Sequence, residues 1–110
     1  MEPSCIPGRG GAALTFMQST DSHHVFLLIA GASREDQFDD FHKIFVDKQS
    51  DQITVERVKV TENDGFDARH SLSAATWNGK TVLFGGQDVI QGKVMNELYA
   101  YDHSSNEMEK

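Results

Sequence analysis

The chain has a single cysteine, Cys5, so no disulfide can form within it. That fits a reducing compartment, and a cytosolic location, with the nucleus as the variant, is the expectation. Long hydrophobic runs are missing as well. The longest apolar stretch, residues 25–30 (VFLLIA), has the length of a strand and falls far below the ~18 residues of a membrane-spanning helix. A secretory leader is not expected. Met1-Glu2-Pro3-Ser4 supplies no basic n-region, and Gly8, Arg9, Gly10 and Gly11 interrupt the chain before any apolar core. Positive charge is scarce and scattered, with ten Lys and Arg against seventeen Asp and Glu and a net charge of −7. Such a balance disfavours nucleic acid and anionic lipid, and it suits a soluble protein that meets a basic partner surface. The 110 residues bound the answer to one ordinary domain with a modest core.

What the sequence does contain is strand and turn signals. Residues 71–77 (SLSAATW) form a β-compatible run of small residues, followed by Asn78-Gly79 and then residues 80–84 (KTVLF). Asn-Gly accepts positive φ at both central positions of a two-residue hairpin, so the pair is predicted to be a β-hairpin. Gly85-Gly86 ends it, where a turn or a close backbone approach excludes a Cβ. After a loop containing Gly92, residues 96–102 (NELYAYD) are predicted as a third strand, residues 103–106 as a turn, and residues 107–110 as the start of a fourth.

The first half runs in the same order. Strands are predicted over 12–17, 24–30 and 41–47, with a polar loop at 18–23, an acidic loop at 33–40 and a turn at 48–51. Residues 53–60 alternate most clearly, with Ile53 and Val55 assigned inward and Val58 and Val60 following in a shifted register. Residues 61–67 read as a polar connector. Gly31 and Gly86, Asp47 and Asp102, Asp51 and Asn106, and Ile53 and Met108 all stand 55 residues apart, whereas Arg9 and Arg69 stand 60 apart. The five extra residues of the first copy fall at 18–23, a hairpin loop where an insertion is tolerated. A repeat of this length with four strands per unit points to a propeller blade.

Arg69-His70-Ser71, Gly85-Gly86, and the Tyr99 and Tyr101 strand ending at Asp102 together resemble a kelch repeat. The family pattern is Arg and His-Ser before the first strand, Gly-Gly after the second, Tyr in the third and Trp in the fourth. Met108 stands at the Trp position. The first copy is degenerate, with Arg9 and Gly31 kept, Ala30 for the first glycine and Ile53 for the tryptophan. The resemblance covers residues 7–110 and implies an all-β fold of two four-stranded blades, an arc of a β-propeller. The two repeats are placed at 1–66 and 67–110, the second lacking most of its last strand. Propellers use about four to eight blades, so two blades imply part of a longer propeller or an arc that assembles with other copies.

Chemical motifs are weak. Gly85-Gly86 has no following helix or Lys-Ser/Thr to cradle a phosphate. His23-His24 is adjacent rather than spaced for a metal, and His70-Ser71 lies outside any nucleophile elbow. Glu35, Asp36, Asp39 and Asp40 lack the glycine bend of a calcium loop. No catalytic residue, metal ligand or cofactor is assigned. Arg9, Gly31, Asp47, Arg69, His70, Gly85, Gly86, Tyr99, Tyr101 and Asp102 are expected to be structural repeat positions. Contact with a partner is assigned to Arg34, Asp36 and Asp39 in the acidic loop and to Gln87, Val89, Ile90 and Met95, the last three of which are apolar for an exposed segment. The resemblance implies a protein-binding scaffold or adaptor that takes neither nucleic acid nor membrane. The alternatives it leaves are a metal-dependent enzyme such as an oxidase of the same fold, and a homo-oligomeric arc.

Overall fold

The computed structural model describes residues 6–88 and 90–110. Cys5 and Val89, both singled out above, lie outside the described residues. The structure is all-β, with two four-stranded antiparallel sheets and a small two-stranded hairpin. The first sheet has the order β1 (Ala13–Ser19), β2 (His23–Ala32), β3 (Gln37–Asp47), β4 (Ile53–Val58). The second consists of β5 (Ser73–Trp77), β6 (Lys80–Phe84), β9 (Leu98–Asp102) and β10 (Glu107–Glu109), in that same spatial sequence. Between β6 and β9, β7 (Gln87–Asp88) and β8 (Lys93–Val94) form the hairpin. The two large sheets are adjacent blades of a propeller arc.

Local signals explain the elements. Asn78 and Gly79 hold φ of 53° and 79°, the double positive φ that a two-residue hairpin requires. The turns after β3 and β9 are copies of one another. Asp51 N–H donates to the Asp47 carbonyl at 3.0 Å, and Asn106 N–H to that of Asp102 at 2.9 Å. Asp51 and Asn106 both hold φ 59°. In each turn the aspartate Oδ1 accepts two backbone N–H groups, from Gln49 and Ser50 or from Ser104 and Ser105. The five-residue insertion lengthens the first hairpin: the register slips between Phe16 and Gln18, Gln18–Val25 takes the place of Trp77–Lys80, and Ser19–His24 adds a pair with no counterpart.

An arginine lying against a glycine recurs at the entry to both sheets. Arg69 Nε donates to the Asp67 carbonyl at 3.0 Å and its Nη1 to the Gly85 carbonyl at 3.3 Å. Arg9 does the same with Pro7 at 3.2 Å and Ala30 at 3.1 Å. Gly86 and its counterpart Gly31 hold φ of 108° and 107°, and a Cβ at either would stand 3.1 Å from the arginine Cδ. Carboxylates complete both sites, Glu97 for Arg69 and Asp40 for Arg9. Arg69 also lies over the Phe66 ring at 4.4 Å, and Arg9 over Phe38 at 3.9 Å.

The core is the junction between the sheets. Val25, Leu27, Ile29 and Phe41 face Thr81, Leu83, Tyr99, Tyr101 and Met108, and each is nearly inaccessible to solvent. The innermost strands β1 and β5 converge, and Thr15 and Thr76 bond across the junction at 3.1 Å. Phe66 enters as a wedge from the connector, 5.8 Å from Phe41 and 5.2 Å from Tyr99 between ring centroids. Backbone bonds tie the sheets together: Gly31 N–H to the Arg69 carbonyl at 2.8 Å and Ser71 N–H to that of Gly11 at 2.7 Å.

Four expectations are corrected. Ile53 and Val55 pair with Val46 and Ile44 on the face turned away from the second sheet, and Ile53 is 54% exposed; Val58, opposite Phe41, is the inward residue of β4. Strand period fixes this, because one register sends all alternate residues to one face. The acidic loop is only four residues, 33–36, since Ala32–Gln37 and Gly31–Phe38 pairing carries β3 back to Gln37. Asp39 is therefore a strand residue. The loop expected at 87–95 is the β7–β8 hairpin. The connector at 61–67 is structural, with Glu62 in a parallel bridge to Glu107 beside the short β10.

Gly86→Ala is expected to cost about 1–3 kcal/mol or more, because it adds backbone strain and a clash with Arg69 and the His70 carbonyl. Gly92→Ala, with φ 65° and open space around it, is expected to lose about half as much or less. Urea unfolding midpoints of the two variants check the order.

Candidate interaction surface

The ends of β2 and β6 meet at one rim. There the 33–36 turn of the first sheet lies beside the β7–β8 hairpin of the second. Ser33 builds the turn: its Oγ accepts the N–H groups of Glu35 and Asp36, and its own N–H donates to the Asp36 carbonyl at 2.8 Å. Arg34 and Asp36 project from it into solvent. Asp88 builds the hairpin. Its buried Oδ1 accepts the N–H groups of Ile90 and Gln91, and also the Gln37 side-chain amide at 2.8 Å. The Gln37 bond, followed by these backbone bonds, holds the Asp88 carboxyl below the usual carboxylate range. One carboxylate thus shapes its own loop and joins it to the neighbouring sheet.

The assigned contact residues divide on this surface. Arg34, Asp36, Gln87 and Ile90 are exposed along the rim, with Ile90 77% accessible. Gln87 is anchored through its backbone, which exchanges two bonds with His70. Met95 is corrected: it is buried, 7% exposed, and its N–H bonds to the Gly86 carbonyl at 2.9 Å. A side chain turned inward offers nothing to a partner. Asp39 faces a different feature, an open groove of 460 Å³ between β3, β4 and the connector, walled also by Arg57, Lys59 and Asn63 and floored by Phe41 and Phe66. Sequence reasoning passed over Val94, which is 77% exposed beside Ile90 in the hairpin. Its signal was its place in the same loop. It also passed over Phe66, whose signal was a lone aromatic in a polar connector.

Of the positions assigned to structure, the arginines and glycines lie beneath this rim, and Asp47 and Asp102 shape the turns at the opposite one. Burial alone would raise the Glu97 carboxyl, but Arg69, with help from Lys110, holds it below its ordinary value. Tyr101, fully buried, donates its hydroxyl to Asn106 Oδ1 at 2.6 Å; burial and then the Asp102 charge push it up to about 12. His70 Nδ1 lies 2.9 Å from Ser71 Oγ, a neighbour contact within the turn. Across the junction a polar thread runs from Thr15 through Thr76 and Thr81 to His103 Nε2, with steps of 3.1, 2.8 and 2.8 Å. Burial, and then Lys43, lower the His103 pKa from 6.5, against the pull of Asp102. Burial also lowers that of His42, with Asp40 opposing and Arg9 and Arg57 adding to the effect. Among the described residues, no three of His, Cys, Asp and Glu converge on a point that would hold a metal ion, and no helix is long and apolar enough to cross a membrane.

Comparison with protein families gives a match to the kelch motif over residues 68–107, which spans the second sheet from Arg69 to β10. No curated protein matches the chain.

Both histidines bind a proton less readily in the folded chain than in the unfolded one. Their contribution to stability is present above about pH 6.5 and is lost as pH falls through the lower folded values. Thermal melts are expected to show Tm falling between about pH 7 and 5, before the carboxylates titrate at about pH 4. His103→Gln, which keeps a partner for Thr81 but cannot titrate, is expected to flatten that slope.

Proposed function

With residues 68–107 a kelch repeat, we propose that the chain is a protein-interaction module that engages another protein through the rim formed by the 33–36 turn and the β7–β8 hairpin. The observation that carries this reading is the Gln37–Asp88 bond of 2.8 Å, which fixes two loops from different sheets side by side. A rigid rim reduces the ordering cost of binding. Its side chains suit a mixed contact: Ile90 and Val94 supply apolar area, while Arg34 and Asp36 supply charge. Kelch motifs commonly occur in interaction modules, and fold alone does not assign a partner. A scaffold or adaptor role is the finer form of the proposal.

Binding rather than catalysis is part of the same proposal. Its support is that the prominent polar groups are engaged in structure: Arg9 and Arg69 on backbone carbonyls, Asp47 and Asp102 in turns, His103 in the junction. A cytosolic or nuclear setting belongs with it and rests on the single cysteine.

A photo-crosslinking residue at position 90 is expected to capture a defined protein from cells, while one at position 51, in a turn at the opposite rim, is expected to capture none in common with it. Ile90→Asp with Val94→Asp is expected to abolish capture from position 34 without moving Tm by more than about 4 °C, since exposed substitutions rarely exceed ~0.5 kcal/mol each. Equal capture at both rims would reject the reading.

A further inference from the structure

The two outward faces of the arc are counterparts of the two faces that meet inside it. We propose that the chain binds further copies of itself head to tail, with the open face of the first sheet in one copy seated on the open face of the second sheet in the next. This contact is separate from the rim and does not depend on it.

The repeat supplies the argument. Within the chain, Leu27 and Ile29 of β2 face the second sheet, and their counterparts 55 residues on are Val82 and Phe84, 40% and 52% exposed on its open face. On the other side of the junction stand Leu83, Tyr99, Tyr101 and Met108. Their counterparts on the first sheet are Leu28, Ile44, Val46 and Ile53, on its open face. Each open face is therefore apolar where the internal junction is apolar. Among the described residues nine large hydrophobic side chains are exposed. Seven belong to these two faces: Leu14, Phe16 and Ile53 on one, Trp77, Val82, Phe84 and Leu98 on the other. Soluble chains seldom leave such patches uncovered.

Shape and charge agree with the direction. The internal Thr15–Thr76 contact has Ala75 and Phe16 as its counterparts, so between copies a ring would rest on a methyl group. On β9 and β10 the open face of the second sheet carries Asp102, Glu107 and Glu109 around a shallow concavity, with Lys80 beside Asp102, so acid outweighs base there, whereas that of the first carries Arg57 on β4. Second face on second face would set these carboxylates against themselves. Head-to-tail contacts that repeat the internal rotation close into rings, and with about four to eight blades per ring that means two to four copies.

Sedimentation velocity of the 110-residue chain across a wide concentration range tests this. The expected result is concentration-dependent association ending in discrete species of two to four copies. Phe16→Asp and Phe84→Asp each spoil one face. Each variant alone is expected to remain monomeric, and an equimolar mixture to form a one-to-one dimer, because each supplies the face the other has lost. Thermal unfolding verifies that both variants fold, and Ile53→Asp with Val82→Asp provides a second pair should either fail. A monomeric wild-type chain, a single variant that assembles as the wild type does, or a folded mixture that stays monomeric would each overturn the proposal.

Discussion

Arg69 lies along Gly86, its Cδ only 3.1 Å from where a Cβ would stand, and the second sheet is organised around that contact. The guanidinium is buried, so its donors must be satisfied by protein groups. Carbonyls of Asp67 and Gly85 and the Glu97 carboxylate accept from it, and Phe66 covers its face. These partners come from the connector, the end of β6 and the approach to β9, so a single side chain fixes three segments. A left-handed backbone at Gly85 and Gly86, with φ of 72° and 108°, is what brings the carbonyl within reach. Arg9 repeats the arrangement with an alanine at the first glycine position. Ala30 holds φ 58°, a left-handed strain of about 1–2 kcal/mol that the surrounding bonds overcome. Its acid also comes from a different place: Asp40 stands two residues before His42, the counterpart of Glu97. The geometry of the clamp is kept while its chemistry drifts.

The same clamps set the junction. Gly31 passes its N–H to the Arg69 carbonyl, so the arginine that orders the second sheet also hangs it on the first. Apolar burial supplies the drive, at about 1.5–3 kcal/mol for each large side chain removed from water. The threonine thread and His103 add direction, because buried polar groups pay a penalty unless every one finds its partner. The junction is thereby both adhesive and specific in register. That register is what the open faces reproduce, and it is why the apolar area on them has a defined orientation rather than a general stickiness.

The rim is where the proposed contact sits on this frame. Asp88 holds the loops through its Oδ1, and the side chains of Ile90 and Gln91 beside it stay exposed. Loop positions at the rim are displayed by backbone bonds that begin in the clamps, from His70–Gln87 pairing to the bond between Met95 and Gly86.

Much of this was legible in the sequence. Asn78-Gly79 fixed a hairpin, because few residues accept two positive φ values in succession. The 55-residue offset fixed the repeat, and the paired turns at Asp47 and Asp102 obey it to the bond. Other features had no local signature. Whether Met95 or Ile90 turns outward depends on the backbone path after Gly86, and whether Ile53 or Val58 faces inward depends on pairing with β3. Phe66 is a wedge only because two sheets stand around it. A sequence carries turn chemistry and period, which act between near neighbours. Which face of a strand is buried, and which residues from distant segments share a rim, are decided by register and packing, and these exist only once the sheets have come together.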